Sequence, residues 1–126
     1  MFKPDGYSSL SAYLLVADAD ALIGFATAAF GARITFTHRR DTGRIGHAEL
    51  RIDDSILMLG EMPDGPAGHL HLYVADVDAT FARALAAGAT VAQAIAEKGD
   101  GDRRGGVTDP SGTTWWISTQ ITPRAG

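Results

Sequence analysis

The feature that most constrains the fold is that the chain repeats itself. Val16-Ala-Asp-Ala-Asp-Ala21 recurs as Val74-Ala-Asp-Val-Asp-Ala79, and Phe30-Gly-Ala32 has its counterpart in Ala87-Gly-Ala89. The offset between the copies is constant to within one residue, which marks an internal duplication. Two copies are too few for a solenoid, whose repeats are stable only when several stack. They suffice for one domain built from two like modules facing each other.

Each copy reads as β-α-β-β-β. In the first module (8–61), the run Tyr13-Leu-Leu-Val16 has strand character, and Asp18 or Asp20 can cap a helix by accepting from its free amides. Leu22, Phe25, Ala26, Ala29 and Phe30 then fall on one helical stripe, which Gly31 ends. Residues 33–38 alternate as a strand, 39–43 form a hairpin loop, and 44–52 alternate again. In that last run Ile45, His47, Glu49 and Arg51 occupy one side, and Ala48, Leu50 and Ile52 the other. Asp53-Asp54 makes a turn into an apolar strand over 55–60, and 61–67 is the one linker-like stretch. The second module (68–119) predicts strands at 69–74, 90–96, 103–108 and 113–119 around a helix at 77–87. Asp109-Pro-Ser-Gly112 has a type I turn pattern, and 122–126 reads as a frayed tail.

Length and composition narrow the function classes. A chain of 126 residues, 45% hydrophobic and 21% charged, is expected to form a single globular domain, 1–126. The net charge of −4 comes without the concentrated Lys and Arg that nucleic acid or an anionic membrane would need. There is no cysteine, which excludes disulfides, thiolate nucleophiles and thiolate metal ligands. The first residues lack the apolar core of a signal peptide, and no apolar run reaches the length of a membrane span. A cytoplasmic protein is expected.

Several tempting motifs read better as structure. The paired carboxylates Asp18/Asp20 and Asp76/Asp78 sit at helix starts, where capping outweighs catalysis. Glycines 99, 101, 105 and 106 lack the Lys and helix of a phosphate loop. They read as part of a flexible charged loop, Lys98 to Arg104, in which Arg103 or Arg104 could meet an anionic ligand. No Gly-x-Ser-x-Gly elbow is present. His38 is expected in a surface loop. Of Trp115 and Trp116, which point opposite ways on a strand, Trp115 is expected in the core and Trp116 in the concave site.

The strand His69-Leu-His-Leu-Tyr-Val-Ala-Asp76 opens the second module. Together with Pro4-Asp-Gly-Tyr7, Phe30-Gly-Ala32, Gly46-His-Ala-Glu49, the Gly105-Gly-Val-Thr-Asp-Pro-Ser-Gly112 segment and Trp115-Trp116, it resembles the vicinal oxygen chelate superfamily, specifically its PhnB-like branch. That superfamily includes glyoxalase I, extradiol dioxygenases and bleomycin-resistance proteins. The resemblance implies an α+β fold in which two βαβββ modules form a curved eight-stranded cup with helices outside, in a homodimer. It also implies a place for a metal: four ligands, from the first and last strand of each module, typically His, Glu, His and Glu.

Carried onto this chain, those four positions fall at Ser11, Met58, His69 and Trp116. Only His69 is a good donor, because methionine sulfur is soft and the indole offers no lone pair. The reading preferred on these residues is a metal-free cup that binds a small, partly aromatic molecule. Its lining would be Tyr13, His47, Glu49, Met58, His69, His71 and Trp116. The alternative is a metal-dependent lyase, isomerase or dioxygenase with a relocated divalent metal site on His69, His71 and Glu49 or Glu61. A third reading is a dimerising module whose cup is filled by its own side chains.

Overall fold

The computed structural model describes residues 2–123. The first module comprises β1 (Ala12–Val16), α1 (Ala19–Phe30), β2 (Arg33–Arg39), β3 (Ile45–Ile52) and β4 (Ser55–Glu61). The second comprises β5 (His69–Tyr73), α2 (Val77–Ala86), β6 (Thr90–Glu97), β7 (Asp102–Thr108) and β8 (Thr114–Gln120). The β-α-β-β-β order thus occurs twice, as the duplication requires. The eight strands are divided into two four-stranded sheets, ordered β1-β4-β3-β2 and β5-β8-β7-β6. In each sheet the first and last strands of the module pair in parallel and the other pairs are antiparallel. Of the expected tail at 122–126, the last three residues lie outside the described residues.

The repeated Ala-Asp-x-Asp motif does the same two jobs in each module. Asp18 and Asp76 are N-caps whose carboxylates accept from the amides of Ala21 and Ala79 at 3.0 and 3.1 Å, satisfying donors that a helix start leaves open. Asp20 and Asp78, in the first helical turns, pair with strand arginines: Asp20 with Arg39 at 2.9 Å and Asp78 with Arg103 at 2.8 Å. Helix α1 closes at Gly31, whose φ of 68° lies in the left-handed region that favours glycine. Its last turn carries no basic residue, and Arg83 of α2 donates through Nε to the carbonyl of Ala29 instead.

The two modules share one core. Helix α1 lies against β3 and β4, α2 lies against β6, β7 and β8, and the helices touch each other. Leu22, Phe25, Ala26 and Ala29 of α1 meet Ala48, Leu50, Leu57 and Leu59 of the first sheet, in a cluster that also takes in Val107, Trp115 and Ile117 of the second. Trp115 joins the modules. Its ring lies 4.7 Å from Phe30 and 6.3 Å from Phe25, and its Nε1–H donates to Asp109 Oδ2 at 2.8 Å. The other Asp109 oxygen accepts from the Ser111 amide and hydroxyl and from the Thr113 amide. The Asp-Pro-Ser-Gly turn therefore also anchors the largest core side chain. Burying such a group contributes roughly 1.5–3 kcal/mol or more.

Three local expectations are corrected. Ile45 does not share a side with His47: it is fully buried, because an extra residue at Gly46 opposes the His38/Arg39 step of β2. Such a bulge turns the strand by one side-chain position. His38 lies within β2, opposite His47, rather than in a loop. Arg103 and Arg104 open β7, in agreement with the strand expected at 103–108, and are ion-paired there rather than part of a flexible loop. Arg103 is held by Asp78 and Glu97, and Arg104 by Asp100 and Asp102. Among the described residues no helix is long and apolar enough to cross a membrane.

Candidate functional site

Because strand side chains alternate, each sheet has a second face turned away from the helices. On the first sheet the register places Tyr13, Met58, Glu49 and Phe36 in one row across β1, β4, β3 and β2. His47, two residues from Glu49, shares that face. Glu49 is the hub. Tyr7, just before β1, donates its hydroxyl to Glu49 Oε1; His47 Nε2 lies 2.8 Å from Oε2; and His47 Nδ1 lies 3.0 Å from the Tyr13 hydroxyl. Burial pushes the Glu49 carboxyl up, but the hydrogen bonds from Tyr7 and His47 outweigh it and hold its pKa below the ordinary value. The Tyr13 and His47 rings stack 5.4 Å apart at 25°, and Phe36 stands 5.8 Å from the imidazole.

On the second sheet the corresponding row is His71, Trp116, Gly106 and Gln93. Trp116 is half-buried over Gly106, where an added Cβ would come within 2.7 Å of the indole. Its Nε1–H donates to Nδ1 of His69 at 3.2 Å. His71 Nε2 lies 2.9 Å from Ser118 Oγ, a fully buried hydroxyl that also accepts from Arg104 Nε at 3.0 Å. Arg104 continues to Asp102 Oδ2 at 2.9 Å, and the same oxygen accepts from the Tyr73 hydroxyl at 2.7 Å. Hydrogen bonds that it donates to Asp100, then Asp102, hold the Arg104 guanidinium above its ordinary pKa. His71 is thus fixed by a polar network rooted in the sheet.

The structure groups the seven residues singled out from sequence into two sets. Tyr13, His47, Glu49 and Met58 come together on the first sheet, and His69, His71 and Trp116 on the second. A relocated metal site needs His69, His71 and a carboxylate to converge. Among the described residues, no three His, Asp or Glu side chains do so. Glu61 is buried on the helix side, where it accepts from the Ala19 amide at 3.3 Å and pairs with Arg44 at 2.7 Å. At the inherited positions, Trp116 directs its N–H into His69 and offers no lone pair, and Met58 offers only a thioether. These donors do not fit a divalent ion that needs at least three protein ligands.

A cleft of about 1000 Å³ lies elsewhere, bordered by Phe30, Tyr73, Asp76, Thr80, Arg83 and Gln120 among others, and by none of the seven. A pocket of about 250 Å³ where β1 and β4 meet β5 is bordered by Ser11, His71, Leu70, Leu72 and Trp115. The helix-free faces themselves are open. Tyr13, Phe36 and Tyr73 are each about half exposed, at 50%, 51% and 50%.

Sequence reasoning missed Tyr7, Tyr73, Asp102, Arg104 and Ser118 as members of these networks. Period two carried a signal for two of them, since Tyr73 follows His71 and Ser118 follows Trp116 at the same spacing. Tyr7 and Arg104 had none, because their roles come from a chain segment and a strand that only folding brings alongside.

Comparison with known proteins agrees with this architecture. Residues 11–117 match the family model described as a glyoxalase-like domain. The protein Mb0911c of Mycobacterium bovis is 39% identical over 90% of this chain and 84% of its own length. Among solved structures, TioX from Micromonospora sp. ML1 is 26% identical, covers 90% of this chain and 99% of its own, and superposes with a TM-score of 0.77. The PhnB protein from Bacillus cereus, 18% identical over 89% of this chain and 99% of its own, shares the fold with a TM-score of 0.72. The chain belongs to the glyoxalase-like domain family.

Proposed function

We propose that this protein binds a small, partly aromatic molecule on its helix-free faces without the help of a metal ion. The observation that carries this reading is an aromatic–imidazole pair on the helix-free face of each module. Tyr13 stacks on His47 in the first module, and Trp116 lies beside His69 in the second, joined to it by the N–H···N bond with the rings 9° from coplanar. Flat, half-exposed π surfaces backed by fixed hydrogen bonds are what a planar ligand needs, because burial drives binding and a few polar groups set its orientation.

A homodimer is part of the same proposal. Each face is open in a single chain and carries large exposed apolar side chains, including Tyr13, Leu15, Phe36 and Tyr73. A second copy is the occupant we propose, because a face of one module would be closed by a face of the partner, making the cup. The family membership supports a binding cup in general terms, and the choice between binding and catalysis rests on the donor set at Met58 and Trp116.

The test is tryptophan fluorescence during titration with a panel of aromatic compounds, alongside light scattering for mass. Trp115 is buried and Trp116 is not, so a ligand on the second face should change the emission of the wild type but not of Trp116→Phe. A panel that leaves the wild-type emission unchanged contradicts the proposal.

A further inference from the structure

The hydrogen bonds on the first sheet have a direction, and the direction defines a class of ligand. Glu49, as a carboxylate, has only lone pairs to offer. Its Oε1 accepts from Tyr7 and its Oε2 faces His47 Nε2 at 2.8 Å, so His47 must carry its hydrogen on Nε2. A neutral imidazole with Nε2–H has a bare lone pair at Nδ1. With His47 neutral, the Tyr13 hydroxyl, 3.0 Å from that nitrogen, donates inward. Every hydrogen in the Tyr13–His47–Glu49 series points toward the carboxylate. What remains for a ligand is lone pairs, on the half-exposed Tyr13 oxygen and on Glu49, whose side chain keeps 15% of its surface open.

We infer that this face is an acceptor-only site, selective for an aromatic ligand that presents N–H or O–H donors and strongest for a cationic nitrogen. The inference rests on the proposed binding role and adds the chemical class of the ligand. Tyr13, His47 and Phe36 supply the planar walls, and Met58, between Tyr13 and Glu49 in the register, supplies the floor. Donors of this face flank that row, with Arg51 on one side and His38, opposite His47 in the register, on the other. Arg51 pairs with Arg33 across β3 and β2, and its guanidinium donates to the Gly6 carbonyl at 2.9 Å. A ligand anion would face the Glu49 carboxylate and the Tyr13 lone pairs with no donor on that row to receive it.

Benzamidine and benzoate test this directly, being nearly the same shape but of opposite polarity. With methyl-labelled methionine, the Met58 signal is identified by Met58→Leu, and its shift is followed during titration with each probe. We expect benzamidine to bind about ten-fold more tightly than benzoate, the effect of one charge-assisted hydrogen bond. In Glu49→Gln the ratio should fall to about two-fold or less, because the amide can donate to His47 and reverse the series. Nitrogen-15 spectra of the wild type should show the Nε2–H tautomer of His47, a result that does not depend on any variant folding.

Benzoate binding as tightly as benzamidine, or His47 in the Nδ1–H form, overturns the inference while leaving the binding role intact. Failure of both probes to move Met58 also overturns it. If the aromatic panel leaves Trp116 emission unchanged as well, the binding role falls with it.

Discussion

Trp116 donates its indole N–H to Nδ1 of His69 across 3.2 Å, with the two rings 6.2 Å apart and 9° from coplanar. This contact occupies two of the four positions at which metal-binding relatives are expected to place ligands. A histidine whose Nδ1 already accepts from an indole N–H, beside a side chain with no lone pair, lacks the donor set that three-ligand coordination needs.

The adjacent tryptophans should therefore behave differently when changed. Trp115→Phe removes the hydrogen bond to the buried Asp109 and part of the packing on Phe25 and Phe30, and should cost about 2 kcal/mol or more. Trp116→Phe loses one hydrogen bond at a partly open surface and should cost less than about 1 kcal/mol. Urea denaturation of the two variants beside the wild type measures the difference. Equal losses would mean that Trp116 is a core residue.

Gly106 is held to glycine by Trp116 from above. A Cβ there would lie 2.7 Å from the indole, and the ring must move to admit it. Gly106→Ala should leave far-ultraviolet circular dichroism unchanged, shift the Trp116 emission and weaken any aromatic ligand of the second face. An alanine variant with wild-type emission would show that the ring does not rest on the strand.

Glu49 should make stability depend on pH in one direction. Its carboxyl titrates below the ordinary value of 4.5, so the folded state holds the charged form more firmly than the unfolded chain does. That contribution is complete above the unfolded-state pKa and is lost as pH falls through the depressed folded one. Denaturation midpoints of the wild type should drop on acidification through this window by more than those of Glu49→Gln. The measurement is a urea series between neutral pH and about pH 3. An identical acid response in both would show that the Tyr7 and His47 contacts do not favour the carboxylate.

Much of the fold was legible because the duplication and the two side-chain periods agree. The capping aspartates, the α1 stripe ending at Gly31, and the buried and open sides of β3 all follow from local pattern. Ile45 was misplaced because a bulge at Gly46 depends on how β2 pairs with β3, which no single-strand pattern contains. Arg103 and Arg104 read as mobile because glycines and charges surround them. Asp78, the partner of Arg103, becomes visible only when β7 is laid beside α2, whereas Asp100 and Asp102, the partners of Arg104, lie four and two residues before it. The site was legible as a set of polar residues on strand faces. Its hydrogen-bond direction was not, because that direction depends on Tyr13 of β1 being brought within reach of His47 on β3.

The absence of a coordinating donor set at Met58 and Trp116 is the claim on which the binding role depends, and elemental analysis tests it most directly. Protein purified without chelator should carry no transition metal in fixed ratio to the chain, and His69→Ala should leave the metal content unchanged. One iron, manganese, nickel or zinc per chain that His69→Ala removes would contradict the account and make the protein a metal-dependent enzyme.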